Sequence, residues 1–137
     1  MRTFFKIQII TLLLCITPLL DAQIIIVTNK SSDFDVISKE MIQYIYLAKT
    51  TKTQGIKVEP LLSKDETLHR NFCTTILCKS VPEYNSYWTR LLFSGQKSIT
   101  KKLDYKEIVD KLKKPNTIAY IEKKDLKKEW KIVYESN

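Results

Sequence analysis

The chain has 137 residues, of which 23 are basic and 15 acidic, for a formal net charge of +8. That length supports one domain with one modest hydrophobic core, and the positive balance suits anionic lipid, polysaccharide or an acidic protein surface. No RNA- or DNA-binding motif accompanies the lysines, which argues against nucleic acid as a partner. A single histidine, His69, and only two cysteines beyond residue 22 leave no third or fourth ligand, so neither a metal centre nor a cofactor is expected.

Arg2 and Lys6 precede an apolar run from Ile7 to Leu20, and Asp21-Ala22-Gln23 follows. A positive start, a short apolar core and a small residue make residues 1–22 a secretory signal peptide, with cleavage after Ala22. The run is short for a membrane span and Pro18 interrupts it, although an uncleaved N-terminal anchor stays open as the alternative. Cleavage removes Arg2, Lys6 and Asp21 and takes the net charge from +8 to +7. The expected mature chain, residues 23–137, is periplasmic or otherwise exported, with no membrane span. Its lysines are concentrated from Lys97 onward, where no arginine occurs.

Residues 23–28 read QIIIVT, a β-branched run that predicts a strand buried on both faces. Ser38 is placed to cap a helix, Ile37 and Ile42 to staple it, and Met41, Ile42, Ile45 and Tyr46 form its apolar stripe, to about Ala48. Residues 50–54 are a polar connector. Gly55 then turns the chain into a short strand over residues 56–60, which Pro60 closes. Ser63 and Glu66 show the S-x-x-E spacing of a capping box, ahead of a helix with Leu68, Phe72, Ile76 and Leu77 on one side.

Ser80 and Glu83 repeat that box before the largest aromatic cluster, in which Tyr84, Tyr87, Trp88, Leu91 and Leu92 recur at helical spacing. This helix, ending at Ser94-Gly95, is expected to organise the rest of the fold. Asp104 and Glu107 cap a further helix, stapled by Leu103 and Ile108, which Pro115 stops. Residues 117–121 and 130–134 are the last strands. Strands separated by helices imply one α/β unit with a mainly parallel sheet flanked by helices.

Cys73 and Cys78 lie five residues apart near the expected end of the second helix. An oxidising compartment favours a disulfide between them, and regular helical geometry opposes it. His69 reads as a surface residue on that helix. Ser, His and Asp are all present, but no nucleophile elbow accompanies them, so no enzyme is expected.

The order of motifs resembles the small phosphate-binding-protein-like domains of the type II periplasmic solute-binding superfamily. Residues 45–49 (IYLAK) are similar to that family's "IFLGK", residues 55–60 (GIKVEP) to its "G-x-x-I-x-P", and Arg70 with Phe72 to its "R-x-x-F". Tyr87-Trp88, Phe93-Ser94-Gly95 and residues 116–121 (NTIAYI) are similar to "YW", "FSG" and "PGAIGYI". The resemblance covers nearly all of residues 24–133. It implies a single lobe of a type II periplasmic-binding-protein-like fold, related to the solute-binding subunit of phosphate importers.

The resemblance further implies an exported, non-catalytic module that binds phosphate or another oxyanion for transport or sensing. Candidate anion contacts are Ser63, Lys64, Thr67 and Arg70, joined by Ser31 and Ser32 in the loop after the first strand. The chain is too short for two lobes and lacks the family's Gly/Ser/Thr-rich phosphate loop. Asp65 and Glu66 stand in the first helical turn instead, where they satisfy the positive helix end and repel an anion. The alternative is therefore a structural or accessory protein-interaction subunit of a periplasmic or envelope assembly that has lost ligand binding.

Overall fold

A computed structural model describes residues 23–95 and 100–137; the expected signal segment, residues 1–22, lies outside them, as does Lys97. In chain order the elements are β1 (Ile24–Asn29), α1 (Lys39–Tyr46), β2 (Lys52–Thr53), β3 (Ile56–Lys57), β4 (Glu59–Ser63) and α2 (Glu66–Phe72). A π-helical turn (Cys73–Leu77) follows, then α3 (Val81–Phe93), β5 (Lys102–Leu103), α4 (Tyr105–Lys111), β6 (Thr117–Glu122), a 3-10 turn (Lys123–Asp125) and β7 (Trp130–Glu135).

Five strands form one sheet in the order β5-β4-β6-β1-β7. β4 runs parallel to β5 and β6, whereas β1 is antiparallel to both β6 and β7. Four strands therefore point one way and β1 alone is reversed. The sheet is mainly parallel, as expected, and β1 lies inside it.

Period-2 alternation divides the apolar side chains between two faces. Ile24 and Ile26 of β1, with Ile118 and Tyr120 of β6, pack beneath α1, α2 and the π turn. Ile25 and Val27, with Ala119 and Ile121, face α4 through Leu103, Ile108 and Leu112. Both faces being covered explains why these strands read as unbroken apolar runs. Pairing of β1 with β7 skips Val133, whose carbonyl instead accepts Ile37 N–H at 2.8 Å and ties the loop before α1 to the sheet edge.

Four expectations need correction. The strand expected at residues 56–60 is split: Ile56–Lys57 pairs with Lys52–Thr53 in a separate ribbon, and the sheet strand begins at Glu59. The two-residue turn Gln54-Gly55, with φ of 51° and 77°, makes that hairpin out of the expected connector. Pro60 does not close a strand but lies within β4, opposite Ile118. Glu59 N–H donates to Asn116 on the β6 side, so the Pro60 nitrogen turns to the other flank, where β5 has not yet begun.

The aromatic helix α3 is not the organising element. Tyr84 is its one buried residue, Tyr87 and Trp88 are partly covered, and Phe93 is 89% exposed. Its caps form as expected, with Ser80 and Glu83 in a complete capping box.

Candidate anion-binding edge

In an open α/β sheet, ligands bind outside the carboxyl ends of the parallel strands, where helix N-termini converge. Here that edge is made by the ends of β4, β5 and β6 with the first turns of α2 and α4. Ser63, the last residue of β4, is buried; its N–H donates to the Tyr120 hydroxyl at 2.8 Å and its Oγ accepts Asp65 N–H at 3.1 Å. Asp65, not Ser63, is the N-cap of α2, accepting Leu68 N–H at 3.0 Å, so the expected Ser63–Glu66 box does not form. Two residues of chain between strand and helix leave the cap to Asp65.

Lys64 is joined to β5 through its N–H on the Leu103 carbonyl, and its Nζ lies 3.9 Å from Glu107. Thr67 is exposed in the first turn of α2. On the neighbouring helix, Asp104 accepts Glu107 N–H at 2.8 Å while Glu107 returns to Asp104 N–H at 3.3 Å. That backbone hydrogen bond from Glu107 holds the Asp104 carboxyl below its ordinary range, helped by nearby Lys64. Replacing Asp104 with Ala removes this cap and should lower the urea midpoint at neutral pH.

Ser63, Lys64, Asp65 and Asp104 line one cleft of about 500 Å³. Glu122, Asp125 and Lys124 complete its charges, giving four carboxylates against two lysines. Both helix ends already hold an anion, the protein's own, and the cleft repels another.

Arg70 lies elsewhere on the same edge. It is exposed in the last turn of α2 and lines a second cleft of about 560 Å³ with Asn71, Thr74, Thr75, Gln23 and Ser136. No Asp or Glu is among the described residues lining it. Gln23 and Ser136 are engaged with the ends of β1 and β7, and the Thr74 hydroxyl donates to the Arg70 carbonyl at 2.9 Å. Arg70, Asn71, Thr75 and Asn137 are the other residues that line the cleft. Asn71, Thr74 and Thr75 follow Arg70 closely in sequence, but only the fold shows that this stretch opens on a cleft.

Ser31 and Ser32 sit at the opposite end of the sheet, away from both clefts. Ser31 donates its Oγ and N–H to Asn29 Oδ1. Ser32 is buried, its Oγ 2.7 Å from Thr28 Oγ1 and accepting Asn116 N–H at 2.8 Å, so it ties the loop to the start of β6. The six candidates thus divide among three places.

His69 is not a surface residue: it is 2% exposed, directly behind Ser63. The Tyr120 hydroxyl accepts Ser63 N–H at 2.8 Å and is hydrogen-bonded to His69 Nδ1 at 2.7 Å, while His69 Nε2 lies 3.6 Å from Cys73 Sγ. Burial, aided by the charge of Lys102, pulls His69 down to about 4, and burial pushes the Cys73 thiol up to about 11. Both are neutral near pH 7, so this histidine and cysteine form no thiolate–imidazolium pair. Cys73 and Cys78, between which the sequence left a disulfide open, are both free thiols in this structure. The π turn keeps the chain wound between them, with Cys73 directed at His69 while Cys78, at φ 55°, is exposed and near Gln43 and Ile76.

No family model and no curated protein sequence matches the chain. Among solved structures it is similar to a protein from Clostridium perfringens described as a phosphate ABC transporter substrate-binding protein with bound phosphate. The TM-score is 0.60 at 15% identity, over 82% of this chain and 45% of that one. A phosphate transport receptor from Vibrio cholerae aligns at a TM-score of 0.49 and 11% identity, over 82% of this chain and 46% of that one. The chain spans less than half the length of either protein. The first likeness shows the fold alone, an α/β architecture shared with just under half of that structure.

Proposed function

We propose that this single solute-binding-type lobe is an exported, non-catalytic module that holds an oxyanion such as inorganic phosphate, for transport or sensing. The observation that carries the reading is Arg70, which lines a cleft with Asn71, Thr75 and Asn137 and with no Asp or Glu side chain among the described lining residues. A planar guanidinium binds a phosphate through two parallel N–H bonds, and the flanking amide and hydroxyl supply further donors. Ser63, Lys64 and Thr67 are not part of this site, because Asp65 and Asp104 occupy the helix ends beside them. The likeness of fold to a protein that carries phosphate supports the ligand class.

Calorimetry with inorganic phosphate at low salt tests the proposal. The parent should bind with a Kd on the order of micromolar, Arg70→Ala should abolish the heat, and Lys64→Ala should retain it. Heat that survives Arg70→Ala would refute the assignment of the cleft.

The second reading is an accessory interaction subunit of an envelope assembly that has lost ligand binding. One observation favours it: Phe93 is 89% exposed at the end of α3, beside the half-buried Leu91 and Leu92. No heat from the parent would bring this reading to the front.

A further inference from the structure

The end of the sheet opposite the two clefts carries a charge pattern that neither the fold nor the oxyanion reading uses. In the β2–β3 hairpin Lys52 lies directly across from Lys57, and both are exposed. Like charges in direct cross-strand register destabilise a ribbon that is only two residues long on each side. Lys57 and Lys114 line one groove at this end. Asn29 Nδ2 donates to the Leu112 carbonyl at 3.2 Å, which brings the turn carrying Lys30 against the turn carrying Lys113 and Lys114.

Of the carboxylates nearby, four are already engaged, and Glu129, whose carbonyl accepts Lys30 N–H at 3.0 Å, has no ion pair among the described residues. Glu59 lies 3.8 Å from Lys114, Asp110 3.3 Å from Lys113 and Asp35 3.4 Å from Lys131, while Asp33 accepts from Asn116 Nδ2 at 3.2 Å. Lys30, Lys52 and Lys57 have no ion pair among the described residues. Beside them stands Val36, 75% exposed, whose carbonyl accepts Gln54 Nε2 from the hairpin turn at 3.2 Å.

We propose that this end of the sheet docks on an anionic lipid surface. Lysines delivered by three separate turns present a broad plane of charge, which suits a layer of headgroups better than a point ligand. Each lysine near such a surface contributes on the order of 1 kcal/mol, and an exposed apolar side chain among them enters the interface. An anionic layer also relieves the repulsion between Lys52 and Lys57. Because the Arg70 cleft opens at the other end of the sheet, docking leaves it turned away from the bilayer.

The test is co-sedimentation of the full chain with vesicles of phosphatidylcholine alone and with a phosphatidylglycerol admixture, at low and at higher salt. The readout is the ratio of binding to the two vesicle types, which sets aside any charge-independent binding by the apolar N-terminal run. The parent should prefer the anionic vesicles, and the preference should shrink with salt. In the Lys52→Ala/Lys57→Ala variant the ratio should fall about thirtyfold, given the contribution per lysine. A control variant at the other edge, Lys106→Ala/Lys124→Ala, should keep the parental ratio. A ratio near one for the parent overturns the proposal. So does an unchanged ratio in the hairpin variant, or an equal fall in the control, which would indicate diffuse net charge.

Discussion

Acidification from pH 7 to about 4 is expected to remove roughly 3 kcal/mol of folding stability through His69 alone, because each pH unit separating its folded and unfolded values is worth about 1.36 kcal/mol. The imidazole is buried against Tyr120, Cys73 and Tyr84, with Lys102 the charge that reaches it, so nothing acidic compensates a proton placed there. Its folded value is about 4 against 6.5 for the ordinary side chain. Between those values the unfolded chain binds a proton that the folded one does not, and lowering the pH favours unfolding. The contribution is complete above pH 6.5 and is lost as the pH falls toward 4. Urea unfolding of the parent at several pH values should show this slope, and His69→Gln, which keeps a hydrogen-bonding group beside Tyr120, should flatten it. A parent whose midpoint stays constant between about pH 7 and 4.5 would disprove the buried neutral imidazole.

Phe72→Ala should destabilise the protein by about 3–5 kcal/mol, the usual range for emptying a fully packed aromatic site. Phe72 has no exposed surface; its ring stacks on Tyr120 at 3.9 Å and 8° and meets Tyr46 edge-on at 4.7 Å. It therefore joins α2 to β6 and α1 at one point. Phe93→Ala, the same substitution on the 89% exposed ring, should change stability by no more than about 0.5 kcal/mol. Denaturant midpoints of the two variants measured together decide the matter. Comparable losses would mean that α3 is packed more deeply than its exposure indicates.

These two phenylalanines also show how far a periodicity can be read. Tyr84, Tyr87, Trp88 and Leu91 recur at helical spacing, and the helix they predict is present. Helical periodicity reveals an amphipathic face without revealing how much surface awaits it, and only Tyr84 is taken fully inside. Elsewhere the spacing and the packing agree. Ile37 and Ile42 are both buried around the Ser38 cap, as are Leu103 and Ile108 around the Asp104 cap.

Much less of the candidate site was legible. Ser63 and Glu66 have the spacing of a capping box, but the box also requires Ser63 to lie outside the strand, and pairing with Leu103 keeps it in β4. Ser31 and Ser32 belong to the loop after β1, and the reversal of β1 carries that loop to the far end of the sheet. His69 stands between Leu68 and Arg70, and its side of α2 faces Tyr120 and Tyr84, residues far from it in sequence.

The local elements and the α/β class are written in the order of residues. Caps, β-branched runs and apolar spacing act over a few residues and depend on side chains close in the chain. The cap of α4 is equally local, with Asp104 and Glu107 at box spacing, whereas Asp65 takes the cap of α2 because the sheet holds Ser63 in β4. The direction of β1, the separation of Ser31 and Ser32 from the strand ends, the burial of His69 and the cleft beside Arg70 come only with the assembled sheet. Those features arise from pairings between residues distant in sequence, such as Ile26 with Tyr120 and Lys64 with Leu103, and local spacing carries no record of such partners.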